Sequence, residues 1–286
     1  MTHTQSKNKE MKRYFRMLAI LLIPVVALIL GAAAPELWAG NHDDDDDDDE
    51  IPFDEAHIFF ELNDTDGDLG IHALIDGDAW KKLEIEDPRE RRILNIRVRG
   101  RLARQGLTEL FFESAEPSFD DLKPKRFFRR FPEGEYEIEG TTLDGEELES
   151  EVWLSHVMPA PPEPTVNGMP AAEDCDAEEL PVVSEGETVT IAWEQVMMSH
   201  PDPEGGGAGV QPPVPVTINN YEVVVEIDET PWKTSIILPP DVTSFEVPQE
   251  ILELSDEIKF EVLVREANYN QTAVESCFEV EEVEEE

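Results

Sequence analysis

Cysteine is the scarcest informative residue in this chain. Only two occur in 286 residues, Cys175 and Cys277, so neither a CxxC redox pair nor a cysteine-rich zinc module is present. Histidine numbers six, with no HExxH, and the chain has no GxSxG and no phosphate-cradling glycine loop. No catalytic set is therefore assigned, and an enzyme is not expected. Carboxylate pairs are everywhere, so their pairing says nothing about glycosidase chemistry. Bases are also few. Lys and Arg number 22 against 66 Asp and Glu, a formal charge of -44. Nucleic acid is excluded as a partner, because phosphate binding requires a cationic surface that releases counterions. Long apolar runs are lacking except at the start.

That start reads as an export signal over residues 1–39. Lys7, Lys9, Lys12, Arg13 and Arg16 precede the apolar run Met17 to Leu30, and small residues follow. Cleavage is placed after Ala39, with Ala33 as the second choice. The other reading is an uncleaved anchor, although a spanning helix wants about 20 apolar residues and this run is shorter. The expected destination is a secreted or periplasmic space, with no integral membrane association after cleavage. Residues 40–50 then form an acidic linker holding seven consecutive aspartates, Asp43 to Asp49, which mutual repulsion keeps extended. In an oxidising compartment, Cys175 and Cys277 can close one bridge; two separate thiols are the alternative.

Alternation of apolar and polar residues carries the fold expectation. Val189, Ile191 and Trp193, then Tyr221, Val223 and Val225, then Phe245 and Val247, then Phe260, Val262 and Val264 recur at every second position, the pattern of half-buried strands. The text from Ile51 onward is similar, with runs at His57 to Leu62, Ile71 to Ile75, Leu83 with Ile85, Ile93 to Val98 and Leu107 to Glu113. Asp66-Gly67, Asp76-Gly77, Asp87-Pro88 and Asp144-Gly145 read as turns between strands. Phe119 to Phe131, basic and aromatic, reads as an interrupting loop. Five prolines between Met158 and Pro170 suggest a stiff linker hinged at Asn167-Gly168. The expectation is all-β, with two tandem antiparallel β-sandwiches: residues 51–158, a Pro-rich linker 159–170, residues 171–280, and an acidic tail 281–286.

The second of these resembles a fibronectin type III module. Trp193 closes TVTIAW, Tyr221 opens YEVVVEI, and in LSDEIKFEVLVREAN Leu254 stands six positions before Phe260 as the family's leucine stands before its core tyrosine. The resemblance implies a seven-stranded sandwich with Trp193 in its core, and it covers about 110 residues. Phe260 departs from the pattern by lacking the tyrosine hydroxyl, Glu266 sits where a small residue is usual, and the insertion at Met197 to Val216 is long. No Arg-Gly-Asp triplet occurs, so integrin-type adhesion is not implied. The first half looks loosely immunoglobulin-like through FPEGEYEIEGTTLDGEEL.

Two surface features remain. Asp64, Asp66 and Asp68 offer oxygens at alternate positions, as a hard cation such as Ca²⁺ prefers. As an EF-hand loop this register fails, since Leu69 occupies the glycine place and Ile75 the bidentate glutamate place. A plain polar turn is the other reading, and no other cofactor is expected. Residues 51–160 hold 14 Lys and Arg, while residues 161–286 hold three against 30 acids. Arg97, Arg99 and Arg101 are the center of that basic cluster. They make a contact surface for a protein or surface polymer, or dock the acidic second half, or pair with acids of their own half, where exposed pairs contribute little. The functional expectation is an exported non-catalytic binding or structural protein. Its alternatives are a Ca²⁺-dependent binding module and an accessory subunit of a secreted enzyme or surface-polymer system.

Overall fold

A computed structural model describes residues 50–201, 213–228 and 230–281. The export signal, the aspartate run, part of the Met197 to Val216 insertion and the acidic tail beyond Glu281 lie outside the described residues. The first lobe comprises β1 (Glu55–Asn63), β2 (Asp68–Glu86), β3 (Arg92–Arg97), β4 (Leu107–Glu113), the short helix α1 (Pro124–Phe128), β5 (Gly134–Thr142) and β6 (Glu147–Leu154). The second comprises β7 (Thr165–Val166), β8 (Met169–Pro170), β9 (Val182–Ser184), β10 (Thr190–Ala192), β11 (Ile218–Glu226), β12 (Lys233–Leu238), β13 (Ser244–Glu246), the helix α2 (Gln249–Leu252), β14 (Glu257–Glu266) and β15 (Gln271–Glu281). The chain is nearly all-β and its sheets are arranged as sandwiches.

In the first lobe the two layers share one strand. The first part of β2 pairs with β1 and β4, and its last part pairs with β3 and β5. Asp76-Gly77, expected as a turn, lies inside this strand. Register shifts fall between Asp76 and Trp80 and between Trp80 and Lys82, where β2 passes from one layer to the other. A side chain on Gly77 would press on Phe53, so glycine there serves close packing. The basic segment Phe119 to Phe131 is more than a loop. It folds α1 over the open end of the lobe, where Phe127 and Phe128 pack edge-on against Phe60. The Tyr136 hydroxyl donates to Pro132 O at 3.0 Å, fixing the entry into β5 in the manner of a tyrosine corner.

The second lobe is a two-layer sandwich. One layer runs β12-β11-β14-β15 and the other β13-β10-β7-β8. The alternating residues named above meet in its core, Trp193 against Tyr221 among them. Leu254 is 48% exposed, and the leucine in the core is Leu252 on α2. The helical turn offsets the inward position by two residues. The Pro-rich stretch is also part of the sheet. Asn167 and Gly168, at φ 48° and 81°, form the tight turn joining β7 to β8, because both central positions of such a two-residue turn need positive φ. A hinge is not formed there.

The lobes are joined by a parallel pairing of β1 with β15, in which Glu61, Leu62 and Asn63 face Gln271, Thr272 and Ala273. One 11-stranded sheet thereby runs through both, while their apolar clusters stay separate, one drawn from residues 53–158 and one from residues 166–280. Asn270 locks the seam. It is 0% exposed; its Oδ1 accepts from Phe60 N at 2.9 Å, and its Nδ2 donates to Ser155 O and Val157 O, both at 2.9 Å. Thr272 Oγ1 donates to Pro159 O at 2.7 Å. Cys175 bonds to Cys277 on the second half of β15. Closing a loop of 102 residues contributes about 4.7 kcal/mol by chain entropy.

Asn270→Ala strands one buried N–H and two carbonyls, so it is expected to cost about 3–5 kcal/mol in urea denaturation. A loss under about 1 kcal/mol would show that the seam is held elsewhere.

Candidate functional site

The β1–β2 hairpin sorts its residues by alternation. Ile58, Phe60 and Leu62 with Leu69, Ile71, Ala73 and Ile75 face the first core. Phe59, Glu61 and Asn63 therefore face the other way, opposite His72, Gly70 and Asp68 in register. Parallel pairing brings Gln271 beside Glu61, and antiparallel pairing brings Arg265 beside Gln271. A polar chain results that crosses the seam. Arg265 Nε donates to Gln271 Oε1 at 2.7 Å, and Gln271 Nε2 donates to Glu61 Oε2. His72, only 3% exposed, sets Nδ1 3.7 Å from Glu61 Oε2 and Nε2 2.9 Å from Glu116 Oε1. Phe59 and Phe111 flank its ring. Glu116 comes from the connection after β4 and rests its carboxylate over Gly70, where any Cβ would collide with it.

Carboxylates outnumber cations on this face, and their proton affinities rise accordingly. Burial, then the charges of Glu116, Asp66, Glu61 and Glu275, pushes Asp68 up to about 7. Burial also raises Glu61, reinforced by Glu116 and Glu113 and opposed by His72 and Gln271. Glu261 rises well above its ordinary value through burial and then through the charges of Glu61 and Glu275. Burial alone would lower His72, but the hydrogen bond to Glu116 and the charges of Glu61, Glu116 and Glu113 together carry it above its usual value.

The expected aspartate cage is not assembled. Asp64 is exposed and lies 3.1 Å from His200 Nε2. The Asp66 backbone N–H donates to Asn63 Oδ1. Asp68 begins β2 and points its Oδ1 into a buried position where it accepts no hydrogen bond. The turn is instead a latch on the second lobe. Asn63 Nδ2 donates to Glu275 Oε1 at 3.1 Å, Thr65 Oγ1 donates to Glu275 O at 3.1 Å, and Glu275 N donates to Thr65 Oγ1 at 2.9 Å. Among the described residues, the metal-type donors that do converge are those of Glu61, His72 and Glu116, with one ligating atom from each within 4.8 Å of the others. They are far apart in sequence. The available signal was the alternation that puts Glu61, Gly70 and His72 on one face.

Arg97, Arg99 and Arg101 are all exposed. Among the described residues they form no ion pair, whereas Arg91 pairs with Asp87 and Arg92 pairs with Glu84 and Glu86. A second basic feature is a shallow cavity of about 410 Å³ lined by Arg89, Lys125, Arg129 and His156 with Phe128, Pro132 and Glu133.

No family model matches the chain, and no curated protein matches it. Among solved structures, a 1.5-MDa bacterial ice-binding adhesin is similar at TM-score 0.24 and 11% identity, over 82% of this chain and 67% of that one. The FN1-FN3 domains of chicken CNTN1 are similar at TM-score 0.31 and 7% identity, over 80% and 65%. A tetra-tandem repeat in the extending region of a large adhesion protein is similar at TM-score 0.24 and 11% identity, over 79% and 50%. At such TM-scores these superpositions carry no argument about this chain, whose all-β class rests on its own strand pairings.

Asp68 keeps its proton up to about 7 when folded against an ordinary value of 3.8. Between those values the unfolded chain releases a proton that the folded chain retains, so stability falls as pH rises and levels off above the folded value. His72, raised in the fold, acts in the same sense, since its contribution is lost as pH climbs through its raised value. The melting temperature is therefore expected to be higher at pH 5 than at pH 8, and Asp68→Asn is expected to narrow that gap. Calorimetry showing an unchanged gap in the variant would contradict this assignment.

Proposed function

We propose that this chain is an exported, non-catalytic binding or structural protein in which two β-sandwiches act as one rigid body. The observation that carries the reading is the sheet running unbroken through both lobes, locked by buried Asn270. A seam of this kind suits a part that must hold two surfaces in fixed relation. In this reading the second lobe begins with β7 at Thr165, inside the stretch 159–170 expected as a linker. The layer order of the second lobe, β12-β11-β14-β15 facing β13-β10-β7, supports its resemblance to a fibronectin type III sandwich, as does Trp193 in the core. Bonding of Cys175 to Cys277 supports an oxidising, extracytoplasmic address. Among the described residues no helix is long and apolar enough to cross a membrane.

The contact surface in this reading is the strip Arg97, Arg99 and Arg101, and its partner is an anionic surface polymer. Among the described residues these three form no ion pair, as is also true of Arg104, Arg126, Arg129 and Arg130, so their charges are open to an outside partner. The remaining negative charge of the chain is screened beyond about 8 Å at physiological ionic strength, so a local cationic strip still attracts a polyanion. Binding of the full chain to immobilised dextran sulfate at 0.15 M NaCl is expected to weaken about tenfold in the triple variant R97E/R99E/R101E, at roughly half a kcal/mol per exposed charge contact. Equal retention of variant and parent would remove the strip from the proposal.

A further inference from the structure

The geometry points to a binding site for a first-row divalent transition-metal cation, of which Zn²⁺ is the type, formed by Glu61, His72 and Glu116. Nothing in the chain's motifs announces it, and it is separate from the Asp64 to Asp68 turn. The donor set is one imidazole and two carboxylates. Imidazole favors Zn²⁺ and its neighbors over Ca²⁺ and Mg²⁺, which prefer oxygen alone. Bonds of about 2.0–2.2 Å place pairs of ligand atoms roughly 3.3 Å apart around a tetrahedral ion. The three donors already lie within 4.8 Å of one another, with Glu61 nearer Nδ1 and Glu116 nearer Nε2 of His72, so a carboxylate swing of about 1.5 Å brings both to one ring nitrogen and closes the set.

Several independent features hold the donors in place. Glu61 and His72 stand on hydrogen-bonded neighbouring strands, so their spacing is set by the sheet rather than by a loop. Gln271 Nε2 donates to Oε2 of Glu61, the oxygen that faces His72, while Phe59 and Phe111 flank the imidazole. Such outer partners orient ligands in metal sites. Gly70 leaves the room that the Glu116 carboxylate occupies. Beside the three donors, Asp68 Oδ1 is buried and accepts no hydrogen bond. It is an acceptor of the kind a cation or its bound water satisfies. With Glu113 opposite His72 in register, the pocket carries more negative charge than His72 offsets, and a divalent ion balances it. A cation here would tie β1, β2 and the connection after β4 together, next to the strand that joins the lobes.

The test is a titration of the full chain with Co²⁺ and then Zn²⁺ in 0.2 M NaCl with millimolar Ca²⁺, which occupies the diffuse acidic sites. The expected result is one Co²⁺ per chain with the visible absorption of a site containing nitrogen, displaced by Zn²⁺, and a melting temperature raised by roughly 5 °C at a hundredfold excess over Kd. His72→Asn is expected to abolish the absorption and weaken Zn²⁺ binding about 100-fold. Gly70→Ala, which keeps all three donors but pushes the Glu116 carboxylate aside, is expected to weaken it about tenfold, as losses around a metal site commonly do. Should His72→Asn fail to fold by circular dichroism, Gly70→Ala and Glu116→Gln decide the matter. Absence of a stoichiometric Co²⁺ site in the parent, or Zn²⁺ binding unchanged in the folded variants, would overturn the assignment.

Discussion

A single buried amide holds this molecule together across its length. Asn270 satisfies Phe60 N on one side and Ser155 O and Val157 O on the other, so the edge of the first lobe, its exit segment and the start of β15 converge on one side chain. A residue with only donors or only acceptors cannot do this, and a charged one would be buried without compensation. Only three residue pairs make up the parallel seam itself. Its persistence therefore depends on the amide, on Thr272 donating to Pro159 O, and on the latch of Asn63 and Thr65 onto Glu275. Asn270-Gln271-Thr272 has the form of an N-glycosylation sequon, and the same burial closes it in the folded chain, since the side-chain nitrogen of Asn270 is enclosed and hydrogen-bonded.

Joining the lobes through a sheet also sets the electrostatics. Strand pairing lays Glu222, Arg265, Gln271, Glu61, His72 and Glu116 side by side across five strands and the following connection. Each is an ordinary strand residue by itself. Together they form a polar layer in which burial first, and the excess of carboxylates over cations second, makes Asp68, Glu61 and Glu261 hold their protons more tightly than usual. Lys259 relieves part of this by meeting Glu275 at 2.6 Å. The first lobe carries the opposite imbalance along β3 and beyond, where Arg97, Arg99 and Arg101 form no ion pair among the described residues although acids abound elsewhere on the lobe. Distance along the sheet, rather than composition, decides which charges meet.

Much of the strand content was legible from alternation. Val189 through Trp193, Tyr221 through Val225 and Phe260 through Val264 enter the core as their period-two spacing requires, because on a pleated strand that spacing puts every second side chain on one face. The misreadings share a cause. Asp76-Gly77 and Asn167-Gly168 are both turn-type dipeptides, yet the first lies within a bent strand and the second makes a hairpin inside a supposed linker. A dipeptide states which backbone angles are permitted, while the surrounding packing selects among them. Leu254 matches the family's leucine by spacing, yet it is exposed, and the leucine that α2 carries into the core is Leu252.

The amino-acid sequence alone determined the β class, the acidic surface, the possibility of one disulfide and the position of the basic cluster. All of these follow from composition or from short-range periodicity. Only the tertiary structure decided that the two halves share a sheet and that, among the described residues, the metal-type donors that converge are those of Glu61, His72 and Glu116. The first outcome rests on an edge pairing between residues as far apart as Glu61 and Gln271, which no local pattern announces; the second adds Glu116, from the connection after β4, to a pair that the β1–β2 hairpin already places on one face.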